Sequence, residues 1–399
     1  MNDPVVILAA RRTAIGSFQG QLQSLPAPVL GGAAIRDAIL KAGVHASEVD
    51  EVYMGCCLMA GIGQAPARQA LLSAGLPDSV PATTLTKMCG SGMKTVMLAH
   101  DQLLAGSASL LVAGGMESMS RAPYLLPSAR SGQRLGHGQM VDHMFFDGLQ
   151  DAYDGQLMGM HAEAIAQELG FTRAEQDAYA LASVQRAQAA VAQGLFAGEI
   201  APVTVHVKGA GGGEVRELRV DETPGQCRPD KIATLKPAFA KDGKDGTVTA
   251  ASSASISDGA AALVLTRDST ARSRDWQPIA RIVGHSTHAG PPARFTTAPV
   301  GAIEKLFELT GWSDADVDLY EINEAFAVVT LIAMRELGLS HDKVNVHGGA
   351  CALGHPIGAT GARILVTLIH ALQQRGHKRG VASLCIGGGE ATAMAIELL

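Results

Sequence analysis

The sequence has few aromatic residues, no long apolar run and no excess of positive charge. Phenylalanine, tryptophan and tyrosine make up 4% of the 399 residues, whereas glycine occurs 46 times. This composition suits closely packed helix–sheet layers better than an all-β fold. No run of 18 apolar residues is present, which argues against a membrane-spanning helix. The formal net charge of −6 argues against general nucleic-acid binding, although a local basic cluster for a small anion is compatible with it.

Cysteine is also sparse, and its spacing is irregular. The six cysteines are residues 56, 57, 89, 227, 351 and 385, and none forms a Cys-x2-Cys pair. We therefore expect no zinc site, no bound metal and free thiols in a reducing compartment. The stretch from Met1 to Val5 lacks the basic region of a signal peptide, so we expect a cytoplasmic protein.

An internal repeat is the strongest signal of fold. Ile35 and Ile303 begin similar helical patterns, and Asp50 and Asp318 follow them at the same separation of 268 residues (303 − 35 and 318 − 50). Both patterns stop at a glycine and continue into a predicted strand. Chance similarity between two helix–strand units is the alternative, but agreement without a gap favours duplication. The predicted stops and strands are Gly43 with Glu51–Met54, and Gly311 with Leu319–Ile322.

A second pair of segments supports the duplication. Leu111–Glu117 resembles Leu384–Glu390, since each is an apolar strand that ends in glycines. This match aligns Cys385 with Val112. The segments Val381–Ile386 and Ala391–Glu397 predict a terminal hairpin, so the sheets are expected to be mixed.

Between the halves lies an insertion of different texture, residues 119–247. It contains two predicted helices, 160–169 and 173–193, and the second begins with a capping box of Thr172 and Glu175. Strands at 247–251 and 260–266 are expected to close the first half, and the second half begins near residue 279. Strands that alternate with helices in both halves predict an α/β fold.

Cys89 stands where an apolar run meets Gly90-Ser91-Gly92 and a predicted helix. A sulfur near a helix N-terminus is expected to have a lowered pKa, and the glycines allow a substrate to approach the backbone. An inert cysteine packed under the helix is the alternative, because most free cysteines are of that kind.

His355 and Cys385 lie in similar glycine-rich turns. Five glycines and a proline surround His355, an arrangement that favours a catalytic base or oxyanion donor over a core histidine. Cys385 ends a buried strand before three glycines whose N–H groups are suited to hold an oxyanion, although packing like an alanine is the alternative. Asn323 follows its strand at once, where it either holds a water or caps a helix.

Together these stretches resemble the thiolase family, which comprises acetyl-CoA acetyltransferases and 3-ketoacyl-CoA thiolases. The resemblance covers essentially the whole chain, and only the combination of motifs is specific. The matching segments are Arg12–Gly16, Cys89–Gly92, Gly114–Ser120, Asn323–Phe326, Gly354–Gly358 and Cys385–Gly389.

The resemblance implies two duplicated βαβαβαββ halves in a five-layer αβαβα arrangement, with an inserted loop domain that binds coenzyme A. The corresponding boundaries are 1–118 with 248–268 for the N-terminal half, 119–247 for the loop domain and 269–399 for the C-terminal half. A homodimer or homotetramer is also implied.

The resemblance further implies a role for each motif. Cys89 is the nucleophile that accepts the acyl group, and His355 activates it. Cys385 is the acid/base at the α-carbon of the second thioester. His355 and a water held by Asn323 form one oxyanion hole, and the N–H groups of Cys89 and Gly387 form the other. No cofactor is expected, since acetyl-CoA, acetoacetyl-CoA and CoA are substrates and products.

Seven further positions match substrate contacts of the family. They are Leu149, Met158, Arg228, Phe239, Ser253, Ala325 and Phe326. The chain also departs from the family near these positions. Leu157 replaces a common histidine, and Ala254 replaces a pantetheine-contacting serine for which Ser253 or Ser255 is the substitute.

The expected function is a reversible condensation of two acetyl-CoA to acetoacetyl-CoA and CoA through an acyl-Cys89 intermediate. Three alternatives stay open at this point. One is a degradative thiolase with longer-chain preference, another is a decarboxylating ketoacyl synthase, which has no use for Cys385, and the last is a non-catalytic acyl-CoA-binding relative.

Overall fold

The computed structural model describes residues 3–207, 214–240 and 246–399. Its strands are β1 Val5–Thr13, β2 Gly16–Ser17, β3 Glu51–Gly55, β4 Ala82–Leu85, β5 Leu110–Ser118, β6 Tyr124–Leu125, β7 Val141–Asp142, β8 Ile200–Ala201, β9 Val203–Val207, β10 Glu214–Leu218, β11 Ser257–Arg267, β12 Ala280–Ala289, β13 Leu319–Ile322, β14 Arg379–Ile386 and β15 Glu390–Leu398. Its α-helices are α1 Ala27–Ala42, α2 Pro66–Ala74, α3 Ser91–Ala105, α4 Met158–Glu168, α5 Arg173–Ala192, α6 Glu222–Gln226, α7 Asp268–Ser273, α8 Ala298–Thr310, α9 Ala327–Leu337, α10 Ala350–Leu353 and α11 Ile357–Arg375.

Two groups of strands meet in the middle of a continuous mixed sheet. The path is β13-β14-β15-β12-β1-β11-β5-β3-β4, and the antiparallel pair β1 and β12 joins the two groups. Strand β3 is parallel to β4 and β5, and β13 is parallel to β14. Strands β14 and β15 form the predicted terminal hairpin.

Alternating side chains on the strands separate an inner core from two outer cores. Along β1, Val5 and Ile7 face the inner core, whereas Val6 and Leu8 face the outer core of the first group. Helices α3 and α11 fill the inner core between the two groups of strands. Helices α1 and α2 cover the outside of the first group, and α8 and α9 cover the outside of the second. This is the predicted five-layer αβαβα arrangement.

The duplication extends to an irregularity in the first strand of each half. Pairing of β1 with β11 shifts register between Ile7 and Ala9. Pairing of β12 with β15 shifts between Ile282 and Gly284, at the equivalent place. A β-bulge repeated at the same position is strong evidence for a common origin, because a bulge needs a specific local conformation. The predicted duplication is therefore supported by pairing as well as by sequence.

Strand register also gives the equivalence of residues around the second glycine-rich strand. Met54 of β3 lies opposite Gly114 of β5. Its counterpart 268 residues later, Ile322 of β13, lies opposite Ser383 of β14. Gly114 and Ser383 are therefore equivalent positions in the two halves.

The register corrects one sequence-based match. Cys385 lies two residues after the equivalenced position in β14, and Met116 lies two residues after it in β5. Cys385 therefore corresponds to Met116, and the match with Val112 is wrong. The glycines misled the sequence comparison, because they end the strand in β14 but lie inside the strand in β5.

The insertion contains the two predicted helices and one wrongly predicted strand. Thr172 and Glu175 form the expected capping box at the start of α5. The segment 247–251 is not a strand, because Thr247 and Val248 donate their N–H groups to the carboxylate of Glu163 in α4 rather than to a neighbouring strand. Within the described ranges, no helix has both the length and the apolar character required to cross a membrane.

Candidate active site

A tight turn holds Cys89 between β4 and α3. Met88 adopts a left-handed φ of 46°, which is uncommon for a residue with a side chain. Ser91 stabilises this turn, because its hydroxyl accepts the N–H of Lys87 at 2.8 Å and donates to the carbonyl of Met88 at 2.7 Å. Strained backbone of this kind is typical of functional sites, where it aims one side chain.

The sulfur of Cys89 lies near two backbone N–H groups, its own and that of Gly387. Burial raises the pKa of Cys89 to about 11, and the two N–H groups lower it by less than burial raises it. The prediction that a helix N-terminus lowers this pKa is therefore wrong for the free protein. Burial in the assembled fold outweighs the local backbone, and Cys89 is a neutral thiol at rest.

Cys385 lies at the end of β14 and is 1% exposed. Burial raises the pKa of this thiol well above its usual range, and the neighbouring Cys89 raises it further. The two sulfurs are therefore close enough to interact electrostatically, although 296 residues separate them in sequence (385 − 89).

His355 precedes α11 and is held in one tautomer. The hydroxyl of Thr360 donates to the carbonyl of Pro356 at 2.9 Å, so it must accept from His355, whose Nδ1 lies 2.6 Å away. Nδ1 therefore carries the hydrogen, and Nε2 has the free lone pair. Nε2 is buried without a hydrogen-bond partner among the described residues. An imidazole in this state is a proton acceptor.

Burial and the positive charge of Arg363 lower the pKa of His355 to about 3. The unfolded chain binds a proton here below its ordinary pKa of 6.5, whereas the folded protein does not bind it until about pH 3. Folding stability from this group is therefore complete above pH 6.5 and is lost as pH falls through this window.

This linkage predicts a difference between the wild type and His355→Asn. As pH falls from 6.5 to 4, the free energy of unfolding of the wild type should fall relative to the variant by up to about 1.4 kcal/mol per pH unit. Denaturant titrations at several pH values measure this difference. A difference that does not change with pH would contradict the buried neutral state of His355.

One cavity of about 540 Å³ brings the predicted catalytic groups together. Cys89, His355, Cys385 and Gly387 all line it. Such convergence of two thiols, an imidazole and backbone N–H groups is suited to acyl transfer through cysteine. The complete lining is Met88, Cys89, Gly148, Leu149, Met158, Ala254, Phe295, Ala325, Phe326, His355, Ile357, Cys385 and Gly387.

Asn323 lies behind this cavity, directly after β13. Its backbone N–H donates to the carbonyl of Ser383 at 2.9 Å. Its side chain is buried, and neither amide atom has a partner among the described residues. A buried amide with both ends free is suited to hold a water. The helix-cap alternative is not observed, because α9 begins after Phe326.

The neighbouring Glu324 fixes the loop that leads to His355. Its carboxylate accepts hydrogen bonds from Tyr179, Ser183, Asn345 and the N–H of Cys351. A second buried carboxylate, outside this loop, acts similarly. Because these bonds satisfy a fully buried acid, the loop has little freedom to move.

Glu117 is that second carboxylate, and it ties the start of α11 to the loop after β3. It accepts the N–H groups of Cys57, Leu58 and Gly358 at 3.0 to 3.2 Å. Burial raises the pKa of Glu117, while these N–H groups lower it by less. The residue therefore positions the helix that follows His355.

Four of the seven predicted substrate-binding residues line the cavity: Leu149, Met158, Ala325 and Phe326. Phe239 packs edge-on against Phe326, with ring centroids 6.0 Å apart, and lies behind the wall.

The other two predicted residues lie elsewhere. The hydroxyl of Ser253 donates to the carbonyl of Thr249 at 2.7 Å, while the neighbouring Ala254 lines the cavity. Arg228 is exposed at the start of a 3-10 helix, Pro229–Thr234.

Sequence analysis missed several residues that complete the site. Phe295 and Ile357 line the cavity, and Thr360 orients His355. Thr360 was detectable, because it lies one helical turn past the Pro356 that follows His355 and its hydroxyl therefore faces back toward the turn. Phe295 had no such signal, since it comes from a separate loop.

A larger recess of about 1040 Å³ adjoins the cavity and shares Met88, Gly148, Met158 and Gly387 with it. It continues over exposed residues that include Phe146 and Tyr153. An elongated ligand can therefore lie in the recess with its end beside Cys89.

We predict that Thr360→Val lowers kcat by about 10–100-fold with little change in KM, because His355 loses the acceptor that fixes its tautomer. Thr360→Ser retains the hydroxyl and should keep most of the activity. Steady-state kinetics with matched circular dichroism spectra measure both. Equal losses in the two variants would show that the methyl group, and hence packing, is what matters.

The family assignment follows from comparison with known proteins. Residues 5–269 match the family described as "Thiolase, N-terminal domain", and residues 276–398 match "Thiolase, C-terminal domain". The chain belongs to the thiolase family.

Individual relatives agree with this assignment over the whole chain. An acetyl-CoA acetyltransferase of Chromobacterium violaceum is 49% identical over 394 residues, covering 98% of this chain and 99% of the relative. The crystal structure of an acetyl-CoA acetyltransferase from Bacillus anthracis is 42% identical with a TM-score of 0.95, covering 100% and 99% of the two chains. A thiolase from Ascaris suum in complex with coenzyme A is 40% identical with a TM-score of 0.92, covering 99% and 100%.

Proposed function

We propose that this enzyme is an acetyl-CoA acetyltransferase, which reversibly condenses two acetyl-CoA to acetoacetyl-CoA and CoA. The observation that carries the proposal is the single cavity shared by Cys89, His355, Cys385 and Gly387. Relatives 45–49% identical over essentially the full chain carry that activity in their names. The thiolase bound to coenzyme A supports acyl-CoA thioesters as substrates.

The first half-reaction transfers an acetyl group to Cys89. Nε2 of His355 takes the proton of the Cys89 thiol, and the sulfur attacks the thioester carbonyl. The oxyanion forms beside the N–H groups of Cys89 and Gly387, which are preorganised at that sulfur. The tetrahedral intermediate expels the CoA sulfur, which takes a proton from Cys385. Cys385 is then a thiolate, and His355 is protonated.

The second half-reaction forms the carbon–carbon bond. The Cys385 thiolate removes an α-proton from a second acetyl-CoA. The resulting enolate oxygen is stabilised by the protonated Nε2 of His355 and by a water on Asn323. The enolate carbon attacks the acetyl group on Cys89, and the Cys89 sulfur leaves with the proton of His355. All three side chains return to their starting states, and no metal or redox cofactor takes part.

Neutral resting thiols suit this sequence of steps. The high pKa values of Cys89 and Cys385 make each thiolate strongly basic once it forms. A strong base is what removal of a weakly acidic α-proton requires. The low pKa of His355 keeps it unprotonated until Cys89 delivers a proton.

The walls of the cavity favour a short acyl group. Phe295, Phe326, Met158 and Leu149 enclose it, and Phe295 packs on Phe326 with ring centroids 6.3 Å apart. A degradative thiolase for longer chains needs an opening where this aromatic pair lies. The pair therefore supports the short-chain function over the longer-chain alternative.

A thiolysis assay at constant CoA tests this preference. We predict that kcat/KM for acetoacetyl-CoA exceeds that for 3-ketooctanoyl-CoA by at least about 10-fold, and that Phe295→Ala narrows the ratio by removing part of the wall. The rate of acetyl transfer to Cys89 is the control and should change little. A higher kcat/KM for the longer substrate in the wild type would make the degradative function the better assignment.

We further propose a homodimer or homotetramer located in the cytoplasm. Exposed apolar side chains in and around the segment β6–β7 support assembly, among them Leu126, Leu135 and Met140. Six free thiols support a reducing compartment. Light scattering on the purified protein determines the number of subunits.

A further inference from the structure

Two histidines and an aspartate meet at the surface where α3 runs beside β12. His100 and Asp101 are consecutive in α3, and His285 lies in β12. Nε2 of His285 is 3.2 Å from Nδ1 of His100 and 2.9 Å from Oδ1 of Asp101. Nδ1 of His100 is 3.0 Å from the same oxygen. Three potential metal ligands thus form a nearly equilateral triangle.

The size of this triangle fits a transition-metal ion. An ion about 2.0–2.1 Å from each of the three atoms would see them at angles of about 90–100° to one another, the geometry of a facial two-histidine, one-carboxylate site. We propose that His100, Asp101 and His285 bind a divalent first-row transition ion such as Zn²⁺, with its remaining positions open to solvent. Imidazole nitrogens in this number disfavour Mg²⁺ and Ca²⁺, which prefer oxygen ligands.

The charges around the triangle support binding at neutral pH. The pKa of Asp101 is lowered because the hydrogen bonds and charges of His100 and His285 outweigh its partial burial. Burial is the main cause of the lowered pKa of His285, and His100 and Lys94 lower it further, while Asp101 raises it. An ionised carboxylate and a neutral imidazole are the states that bind a metal.

Solvent reaches the site from one side. The side chain of Asp101 is 55% exposed, whereas those of His100 and His285 are 12% and 15% exposed. The histidines are therefore held by packing, and the carboxylate is free to adjust when an ion binds. A pre-positioned pair of imidazoles lowers the ordering cost of binding.

The site is separate from the acyl-transfer cavity. His100 lies nine residues after Ser91 in α3, which places it about 14 Å along the helix from the Cys89 end. The ion would link α3 of the first half to β12 of the second half. We therefore expect binding to stabilise the fold and to leave the rate of acyl transfer unchanged.

The sequence expectation of no metal depended on the absence of cysteine pairs. This site uses histidine and aspartate instead, and its third ligand comes from a strand 184 residues after Asp101 (285 − 101). Only the fold brings these residues together.

Zinc titration of the chelator-treated enzyme by calorimetry tests the proposal. We expect one site whose affinity falls at least about 10-fold in His285→Asn and in Asp101→Asn, and a rise in Tm of about 2–5 °C at saturating Zn²⁺ in the wild type. His288→Asn is the matched control, since His288 lies three residues further along β12 and outside the triangle. It should retain the wild-type affinity.

Cobalt distinguishes this site from the thiols. Co²⁺ bound to His100, Asp101 and His285 should show ligand-field absorption without a sulfur-to-metal charge-transfer band, and that absorption should be absent in Asp101→Asn. Because Asp101 is exposed, this variant should fold even if His285→Asn does not. Equal zinc affinity in the wild type and Asp101→Asn, or a charge-transfer band in the wild type, would overturn the proposal. A triangle held only by hydrogen bonds would show no zinc-dependent rise in Tm.

Discussion

Replacing Cys89 with alanine should lower the rate of acetoacetyl-CoA thiolysis by about 10⁵–10⁶-fold, close to the loss seen when a covalent nucleophile is removed from other enzymes. Without the sulfur there is no acyl-enzyme, and His355 has no proton to accept. The same variant should incorporate no acetyl group when it is incubated with radiolabelled acetyl-CoA. Steady-state rates and label retained after denaturation measure the two effects.

Cys227→Ala is the matched control for this prediction. Cys227 is a free thiol outside the cavity, so its loss should leave at least half of the activity and all of the labelling. Residual thiolysis above about 1% in Cys89→Ala would mean that another group serves as the nucleophile.

Replacing Cys385 with alanine should separate the two half-reactions. We expect condensation and thiolysis to fall by at least about 10⁴-fold, because no other thiolate in the cavity is available to remove or return the α-proton. Acetyl transfer to Cys89 should continue more slowly, since His355 and both N–H groups remain. Rapid-quench labelling with acetyl-CoA and a coupled condensation assay measure the two steps independently.

This variant also distinguishes the remaining alternatives. A decarboxylating ketoacyl synthase has no use for Cys385, so that function predicts nearly normal turnover in Cys385→Ala. A non-catalytic relative predicts no acetyl-Cys89 even in the wild type. Normal condensation activity in Cys385→Ala would remove Cys385 from the mechanism.

Local sequence signals predicted the catalytic residues because chemistry leaves a local mark. Cys89, His355 and Cys385 each stand beside glycines, and this is a pattern that a single chain displays without its fold. That the two sulfurs and Nε2 share one cavity could not be read from the sequence, since hundreds of residues separate them. The duplicated halves made the convergence plausible, because equivalent segments of a repeated unit lie at corresponding edges.

Protonation states could not be predicted from neighbours in sequence. The helix start after Cys89 suggests a lowered pKa, yet burial by both halves raises it to about 11. Likewise, the tautomer of His355 depends on Thr360 and Pro356 together. Desolvation is a property of the whole fold, so it outweighs a local helix end whenever the site is closed.

Register and hydrogen-bond partners explain the two errors in the fold. The match of Cys385 with Val112 depended on aligning glycines, whereas strand pairing places it opposite the position of Met116. The predicted strand at 247–251 has apolar and β-branched residues, but the carboxylate of Glu163 captures its N–H groups. In both cases a partner distant in sequence decided the outcome.

A crystal structure of Cys385→Ala after reaction with acetyl-CoA tests the central claim most directly, because this variant should accumulate the acyl-enzyme. The account predicts an acetyl group bonded to Sγ of Cys89, its oxygen on the N–H groups of Cys89 and Gly387, and its methyl group directed toward residue 385. An acetyl group on any other side chain, or an oxygen that points away from both N–H groups, would contradict it.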